Sequence, residues 1–265
     1  MDGLVDCHVH TARCGHGTGS VAEYVACARS RGLSGIALTE HLPLPDDLDP
    51  SRVYSMPATD LPAYCREVEG EMVDGVRVAV GVEADWLPAR LDYVRDLLAS
   101  QQWDVVLGSV HFIDSWAFDD PSLVAEWDRH DVDATWERYF DLLIDAACSR
   151  MFDVMAHPDL IKKFGHRPAS DPDLLYDEAA RAFAEAGVAA EVSTAGLRKP
   201  VGELYPGDAF LLALRRHNVP VTLGSDAHAP SEVGYCFDEA RTALRAAGYE
   251  RLAWFEARKM TEVPL

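Results

Sequence analysis

The stretch VDCHVHTARCGH, residues 5–16, combines a short apolar strand with three histidines near the start of the chain. Successive side chains of a strand point to opposite faces, so His8 and His10 share one face. His16 follows after the chain has left the strand. Two imidazoles on one face can bind one metal ion, but two hydrogen-bonded histidines at a strand end are an equally ordinary arrangement. The rest of the sequence decides between these alternatives.

Strand patterns like the one at residues 3–8 recur along the chain and alternate with helical patterns. The seven segments are short and rich in Val, Ile and Leu, as expected of strands buried on both faces. They cover residues 3–8, 34–39, 76–83, 104–110, 152–156, 188–193 and 219–224, with helices predicted near 20–31, 60–74, 89–101, 133–149, 172–186, 207–217 and 237–247. Repeated strand-helix units form parallel sheets with right-handed crossovers. The sequence therefore predicts an α/β fold, a distorted (β/α)7 TIM-like barrel that forms a single domain over residues 1–265.

Most of the histidines fall where these strands end. Seven of the ten lie at or just beyond the carboxyl end of a predicted strand, and in a β/α barrel these ends meet at the rim where active sites form. Imidazole and carboxylate ligands without clustered cysteines favour zinc, manganese or iron. The candidate ligands are His8, His10, His16, His41, Glu83, His111, His157, Asp226 and His228. This set exceeds the need of one ion, so we expect three divalent ions, with Glu83 as a bridging carboxylate.

Composition and charge limit the classes of partner. The chain has 265 residues, 48% of them hydrophobic, and its net charge of −20 would repel long nucleic acid. A small phosphorylated substrate is compatible with this charge, because metal ions and a few cationic side chains reverse the potential inside one pocket. No apolar run reaches the roughly 20 residues that span a bilayer, and the N-terminus lacks a signal-peptide pattern. We expect a cytoplasmic protein with six reduced cysteines, and the sequence specifies no oligomeric state.

The order of the candidate ligands resembles the motif set of the PHP (polymerase and histidinol phosphatase) family. That set consists of HxH with a following His, an acidic-His pair, a bridging Glu, two single His residues and a final DxH, all of which occur here in order. The resemblance implies a first ion held by His8, His10, Glu83 and Asp226, a second by Glu83, His111 and His157, and a third by His16, His41 and His228. Glu40 stands where many members have Asp, and we expect it to act behind the ligands.

Further stretches resemble the monofunctional histidinol-phosphate phosphatases of this family. They are TEHLPLP (39–45), GVEADWLP (81–88), GSVHFIDSWAFDDP (108–121), HPDLIKKFGHRP (157–168), EVSTAGLRKP (191–200) and GSDAHAPSEVG (224–234). This resemblance implies a metal-dependent phosphomonoesterase that converts L-histidinol phosphate to L-histidinol and phosphate in histidine biosynthesis, with a metal-bridging hydroxide as nucleophile. A nucleotide phosphatase or nuclease of the same family is the first alternative. A non-catalytic metal-binding domain is the second, and the intact ligand set disfavours it.

Few residues outside the ligand set receive a role. Arg198 follows the sixth predicted strand, and its planar guanidinium fits phosphate oxygens, so we expect it to bind the substrate phosphate. Asp226 and Glu83 are the expected catalytic carboxylates, with Asp226 orienting the attacking water. Cys14 fits no ligand position of the family. Weaker candidates for phosphate binding are Lys162, Lys163, Arg167 and Lys199.

Two predicted loops, residues 42–59 and 112–132, are longer than a barrel requires. Long loops in a compact domain are more often functional than idle. The second loop carries carboxylates and aromatic rings suited to the amine and imidazole of histidinol phosphate, and it is equally consistent with an ordinary acidic loop. The residues concerned are Asp114, Trp116, Phe118, Asp119 and Asp120.

Overall fold

A computed structural model describes residues 3–265 of the chain. Within this range the strands are β1 Val5–Val9, β2 Gly35–Leu38, β3 Arg77–Asp85, β4 Val105–Ser109, β5 Phe112–Ile113, β6 Trp116–Ala117, β7 Val154–Met155, β8 Ala189–Ser193, β9 Val221–Gly224, β10 Arg251–Glu256 and β11 Lys259–Pro264. The α-helices are α1 Val21–Ser30, α2 Leu61–Glu69, α3 Leu91–Ala99, α4 Val132–Cys148, α5 Asp173–Ala186, α6 Asp208–Arg216 and α7 Phe237–Ala246.

Seven strands form one parallel sheet in the order β1-β2-β3-β4-β7-β8-β9. Each of them is followed along the chain by one of the seven helices. Every strand and helix predicted from the sequence is present, with bounds shifted by a few residues. The sheet curls until β1 approaches β9, which confirms the predicted (β/α)7 barrel in a nearly closed form.

Local sequence accounts for these elements. The barrel strands are buried along their length except at the start of β3, as their apolar sequences predict. Ser20 begins α1 with a capping box, because its hydroxyl accepts from Glu23 N while the Glu23 carboxylate accepts from Ser20 N. Gly187 ends α5 with φ at +76°, a left-handed conformation that glycine adopts without steric cost.

The barrel closes along a seam between β1 and β9. A backbone bridge joins Val9 to Ala227 at this seam. Beside it, the buried carboxylate of Asp6 accepts hydrogen bonds from Ser225 N at 2.9 Å, Ser225 Oγ at 2.6 Å and Gly234 N at 2.8 Å. One side chain of the first strand therefore holds the loop that follows the last strand of the sheet.

Two antiparallel hairpins complete the fold and are not predicted from the sequence. β5 and β6 pair within the 112–132 loop. β10 and β11 pair at the end of the chain, where the Trp254 ring packs against Gly35 at the start of β2 and lies 4.7 Å from the Arg77 guanidinium at the start of β3. The C-terminal hairpin therefore covers the amino ends of barrel strands, opposite the predicted ligands.

The structure also bears on two expectations from the sequence, the lack of a bilayer-spanning segment and the reduced state of the cysteines. Among the described residues α4 is the longest helix, with 17 residues. No helix between residues 3 and 265 is long and apolar enough to cross a bilayer. All six cysteines are free thiols, as their unpaired spacing predicts.

Candidate metal centre

The predicted ligands lie together at the carboxyl ends of the barrel strands. His8 belongs to β1 and His10 follows that strand, while Glu83 lies near the end of β3. The other ligands stand in loops that leave β1, β2, β4, β7 and β9. Parallel strands bring these ends to one rim, so the rings become neighbours. The ring centroid of His10 lies 4.2 Å from that of His41 and 4.5 Å from that of His228.

Glu83 lies at the centre of this cluster and is buried. Its two carboxylate oxygens face different histidines. Oε2 lies 3.2 Å from His8 Nε2, 3.3 Å from His10 Nε2 and 3.0 Å from His41 Nδ1, and Oε1 lies 3.0 Å from His157 Nε2 and 3.6 Å from His111 Nε2. A carboxylate whose oxygens face two separate ligand groups is suited to bridging two cations.

The first ligand group lies on the Oε2 side of Glu83. The Nε2 atoms of His8 and His10 are 2.9 Å apart, and Asp226 Oδ1 lies 3.4 Å from His10 Nε2. His41 adjoins this group, because its Nδ1 faces the same Glu83 oxygen and its ring stacks on that of His10. These contacts bring together the residues that the sequence assigns to a first ion.

The second ligand group lies on the Oε1 side of Glu83 and contains His157 and His111. His111 Nδ1 donates to Asp85 Oδ1 at 2.9 Å, which leaves Nε2 to face Glu83. Asp85 thus orients a predicted ligand, and the sequence predictions leave it without a role. It lies two residues beyond Glu83 in β3 and so shares its strand face, which is the signal that identifies it.

Two members of the third predicted group, His16 and His228, lie at the edge of the cluster, while the third member, His41, lies beside His10. His16 Nδ1 donates to the carbonyls of Cys14 and Val53 at 3.1 Å and 3.0 Å, and His228 Nδ1 donates to the Asp226 carbonyl at 3.1 Å. Each ring therefore keeps its Nε2 for another partner. Cys14 Sγ lies near both rings, since ligand atoms of Cys14, His16 and His228 are all within 4.8 Å of one another.

The arrangement fits divalent cations. His228 Nε2 is buried and has no hydrogen-bond partner among residues 3–265, and burying such an atom unpaired costs about 1–3 kcal/mol. The close approach of His8 Nε2 to His10 Nε2 beside two carboxylates likewise favours a shared cation. Neutral imidazole nitrogens and carboxylate oxygens are the ligands that zinc, manganese and iron accept.

Two carboxylates and one histidine of the cluster are already in the protonation states that metal binding requires. Burial opposes ionisation of Glu83, but the surrounding histidines hold its pKa well below the usual range. The pKa of Asp226 is held below its usual range in the same way. Burial, aided by neighbouring histidines, lowers the pKa of His228 to about 4 despite the opposing charge of Asp226. At neutral pH these carboxylates are ionised and His228 is neutral, the forms that coordinate metal.

Glu40 is buried behind the cluster. Its Oε1 accepts from Thr11 N at 2.5 Å, and its Oε2 has no hydrogen-bond partner in the described part of the chain. Burial raises the pKa of Glu40 to about 7. No group of potential ligand atoms among the described residues includes Glu40. Its contact with the turn after His10 supports a role behind the ligands.

The cluster forms one wall of a cavity of about 540 Å³, a size suited to a small substrate. Both long loops line this cavity, and the Tyr54 hydroxyl of the first donates to the Asp120 carboxylate of the second. Asp119 also lines it and accepts from Lys163 Nζ at 2.8 Å. Asp114 instead contacts Arg138. The second loop therefore contributes Asp119 and Asp120 to the cavity.

Arg198 lines the same cavity with its guanidinium against the turn after β9. Its Nη2 donates to the carbonyls of Ser225 and Asp226 at 2.9 Å and 3.0 Å. Asp226 has φ at +48°, a left-handed conformation that is strained for a residue other than glycine. Arg198 thus supports the turn that carries Asp226, while its buried Nη1 has no hydrogen-bond partner among the residues that the structure describes.

The weaker phosphate candidates separate in the structure. The prediction that Lys162 contacts phosphate is wrong. Its ammonium is fully buried and lies 2.7 Å from Asp159 Oδ2 and 2.8 Å from the Leu204 carbonyl. Arg167 pairs with Glu203 at 2.6 Å and does not line the cavity. Lys163 and Lys199 do line it.

Known proteins resemble the chain over nearly its whole length. The probable histidinol-phosphatase of Deinococcus radiodurans is 40% identical, and the match covers 98% of this chain and 99% of that protein. The histidinol-phosphatase of Bacillus subtilis is 26% identical, and the match covers 88% of this chain and 96% of that protein.

Solved structures show the same fold. The histidinol phosphate phosphatase of Lactococcus lactis subsp. lactis, complexed with zinc, L-histidinol and phosphate, superposes with a TM-score of 0.80. It is 21% identical, and the match covers 97% of this chain and 98% of that one. Residues 6–195, from β1 to the turn after β8, match the PHP domain. The chain therefore belongs to the PHP domain family.

Proposed function

We propose that the protein is a metal-dependent phosphomonoesterase that hydrolyses L-histidinol phosphate to L-histidinol and phosphate in histidine biosynthesis. The observation that carries this proposal is the convergence of nitrogen and oxygen ligands on a cavity that also presents Arg198. The end-to-end likeness to proteins named histidinol-phosphatase supports the choice of substrate. A cytoplasmic location, and the action of residues 1–265 as one domain without nucleic acid, belong to the same proposal.

The ligand set supports three divalent ions of the zinc, manganese or iron class. When bound, such ions offset charge on phosphate oxygens and lower the pKa of water. The two sides of Glu83 support the first two positions, and the unpartnered His228 Nε2 supports the third. The proposed sets are His8, His10, Glu83 and Asp226; Glu83, His111 and His157; and His16, His41 and His228.

The side chains of the protein divide the remaining work. Arg198 Nη1 donates a hydrogen bond to a phosphate oxygen of the substrate. The ionised carboxylate of Asp226 orients the water that attacks phosphorus. Glu83 holds the first two ligand groups in fixed positions relative to each other. As the bond from water to phosphorus forms, the bond from phosphorus to the histidinol oxygen breaks, and that oxygen takes up a proton.

Arg198→Ala is expected to lower kcat/KM for histidinol phosphate about 10- to 100-fold, the value of one lost charge-assisted hydrogen bond. Arg198→Lys should recover only part of this loss, because an ammonium cannot both hold the Asp226 turn and reach the phosphate. Steady-state kinetics give the answer, with Arg66→Ala on the exposed surface as control. If Arg198→Ala has wild-type kinetics, the prediction that Arg198 binds the substrate phosphate is wrong.

His16→Ala is expected to reduce tightly bound metal by about one equivalent and to leave the other ions in place. The reason is that His16 lies at the edge of the cluster, away from both oxygens of Glu83. Elemental analysis after dialysis measures this change. His217→Ala is the control, since that imidazole pairs with Asp177 outside the cavity. Loss of all metal from His16→Ala would contradict the division into three sites.

Phosphate release from a substrate panel tests the proposed function. The purified protein is assayed with histidinol phosphate, nucleoside monophosphates and sugar phosphates, and its metal content is measured on the same sample. We expect the highest kcat/KM for histidinol phosphate. A preference for a mononucleotide would move the protein to nucleotide phosphatase activity, and absence of both metal and hydrolysis would favour a non-catalytic domain.

A further inference from the structure

Glu191 of β8 is a fully buried carboxylate that touches two predicted metal ligands from behind. Its Oε1 lies 2.9 Å from His8 Nδ1, and its Oε2 accepts from the main-chain N of His157 at 2.6 Å. It is absent from the groups of potential ligand atoms among residues 3–265. Glu191 therefore connects a ligand of the proposed first ion to a ligand of the proposed second ion on the side away from Glu83.

The contact with His8 determines which ring nitrogen is available. A carboxylate only accepts hydrogen bonds, so Nδ1 keeps its proton when a cation displaces any proton from Nε2. Nε2 faces His10 Nε2 and Glu83 Oε2, at 2.9 Å and 3.2 Å, and it is the ring atom left for the cation. Glu191 thus selects the tautomer of His8 that a cation in the first position requires.

The contact with His157 acts on the backbone. His157 has φ at +27°, outside the regions that side-chain-bearing residues normally adopt. The hydrogen bond from its main-chain N to Glu191 helps to hold this conformation, which places His157 Nε2 3.0 Å from Glu83 Oε1. The second ligand group therefore depends on the same carboxylate as the first.

Gly224 at the end of β9 leaves the room that this arrangement needs. A Cβ at that position would lie 1.8 Å from Glu191 Oε1 and 2.7 Å from His8 Cβ. No side chain can replace glycine there without separating Glu191 from His8. Three strands, β1, β8 and β9, are thus packed around one carboxylate.

We infer that Glu191 is a positioning residue that couples the first two metal positions. Both ions bind tightly only while its two oxygens accept the hydrogen bonds from His8 Nδ1 and His157 N. This inference rests on the proposed metal-dependent function. Glutamine has the same shape but one acceptor oxygen, so it leaves either His8 Nδ1 or His157 N facing an amide donor. Glu191→Gln therefore loses one of the two contacts, and the ligand group that loses its contact loosens.

The test compares Glu191→Gln with Asp153→Asn. Asp153 lies just before β7 at the amino ends of the strands, and its carboxylate likewise accepts from a main-chain N, that of Val106 at 2.8 Å. Each protein is titrated with Mn²⁺ against a chelator of known affinity, and the electron paramagnetic resonance of the loaded form reports exchange coupling between neighbouring ions. We expect about 10- to 100-fold weaker Mn²⁺ binding and weaker coupling for Glu191→Gln, and no change in either for Asp153→Asn.

Gly224→Ala provides a second perturbation that leaves every hydrogen-bonding group in place, and we expect it to weaken Mn²⁺ binding in the same direction. Thermal melts of the metal-free forms show whether each variant is folded. Wild-type affinity and coupling in folded Glu191→Gln would overturn the inference while leaving the proposed function intact. A wild-type protein that binds no Mn²⁺, Zn²⁺ or Fe²⁺ would overturn the metal-dependent function and the coupling together.

Discussion

Replacement of Glu83 by glutamine (Glu83→Gln) is expected to lower kcat/KM for histidinol phosphate by about three orders of magnitude and to release bound metal. Glu83 lies between the first two ligand groups, and its two oxygens face ring nitrogens of both groups. The amide of glutamine replaces one acceptor oxygen by a donor, so one group loses its shared ligand. The change preserves side-chain size, so the barrel should remain folded.

Kinetics and elemental analysis on the same preparations measure this effect. Glu69→Gln is the matched control, because Glu69 is exposed at the end of α2, away from the cavity. We expect the control to retain wild-type activity and metal. A folded Glu83→Gln protein with full metal content and full activity would show that the two ligand groups do not share this carboxylate.

Removal of metal by a chelator is expected to abolish phosphate release and to lower the melting temperature by roughly 5–10 °C. A ligand present at about 100 times its Kd stabilises the folded state by about 2.7 kcal/mol, and about 1 kcal/mol corresponds to roughly 2–4 °C in a chain of this size. Stripping also leaves the ionised carboxylates of Glu83 and Asp226 without their cations. Activity assays and thermal melts before and after re-addition of Zn²⁺ or Mn²⁺ test both effects.

The metal-free cluster also predicts how binding depends on pH. Burial opposes protonation of His8 and His111, but nearby carboxylates outweigh it and raise the pKa of His111 to about 10 and that of His8 well above its ordinary value. Metal must displace these protons at neutral pH, so its apparent affinity should rise with pH.

If chelation changes neither activity nor melting temperature, the predicted catalytic role of the metal is wrong.

The barrel is predictable because its signal is local. Each parallel strand is buried on both faces, so the sequence shows short apolar segments separated by helical patterns, and all seven units appear in the structure. The hairpins carry weaker signals. β5 and β6 have two residues each, and β10 and β11 follow each other without the intervening helix that separates the barrel strands. Their pairing depends on packing against other elements.

The candidate site is predictable to the extent that topology alone brings residues together. Strand ends meet at one rim, so histidines there can be recognised as neighbours without coordinates. The supporting contacts depend on which atoms face each other. Glu191 has no distinguishing feature in the sequence until β8 is placed between β7 and β9, and Lys162 resembles a solvated lysine until Asp159 is seen to bury it.

The seam that Asp6 holds has a consequence for synthesis of the protein. Asp6 and Ser225 are separated by 219 positions, and the chain leaves the ribosome from its amino end. β1 is thus made with His8 and His10 long before Asp226 exists, and such distant pairing must await the rest of the chain. Any ion held by His8 and Asp226 together is acquired only once translation of the barrel is complete, and until then the nascent protein presents an open strand edge bearing two histidines.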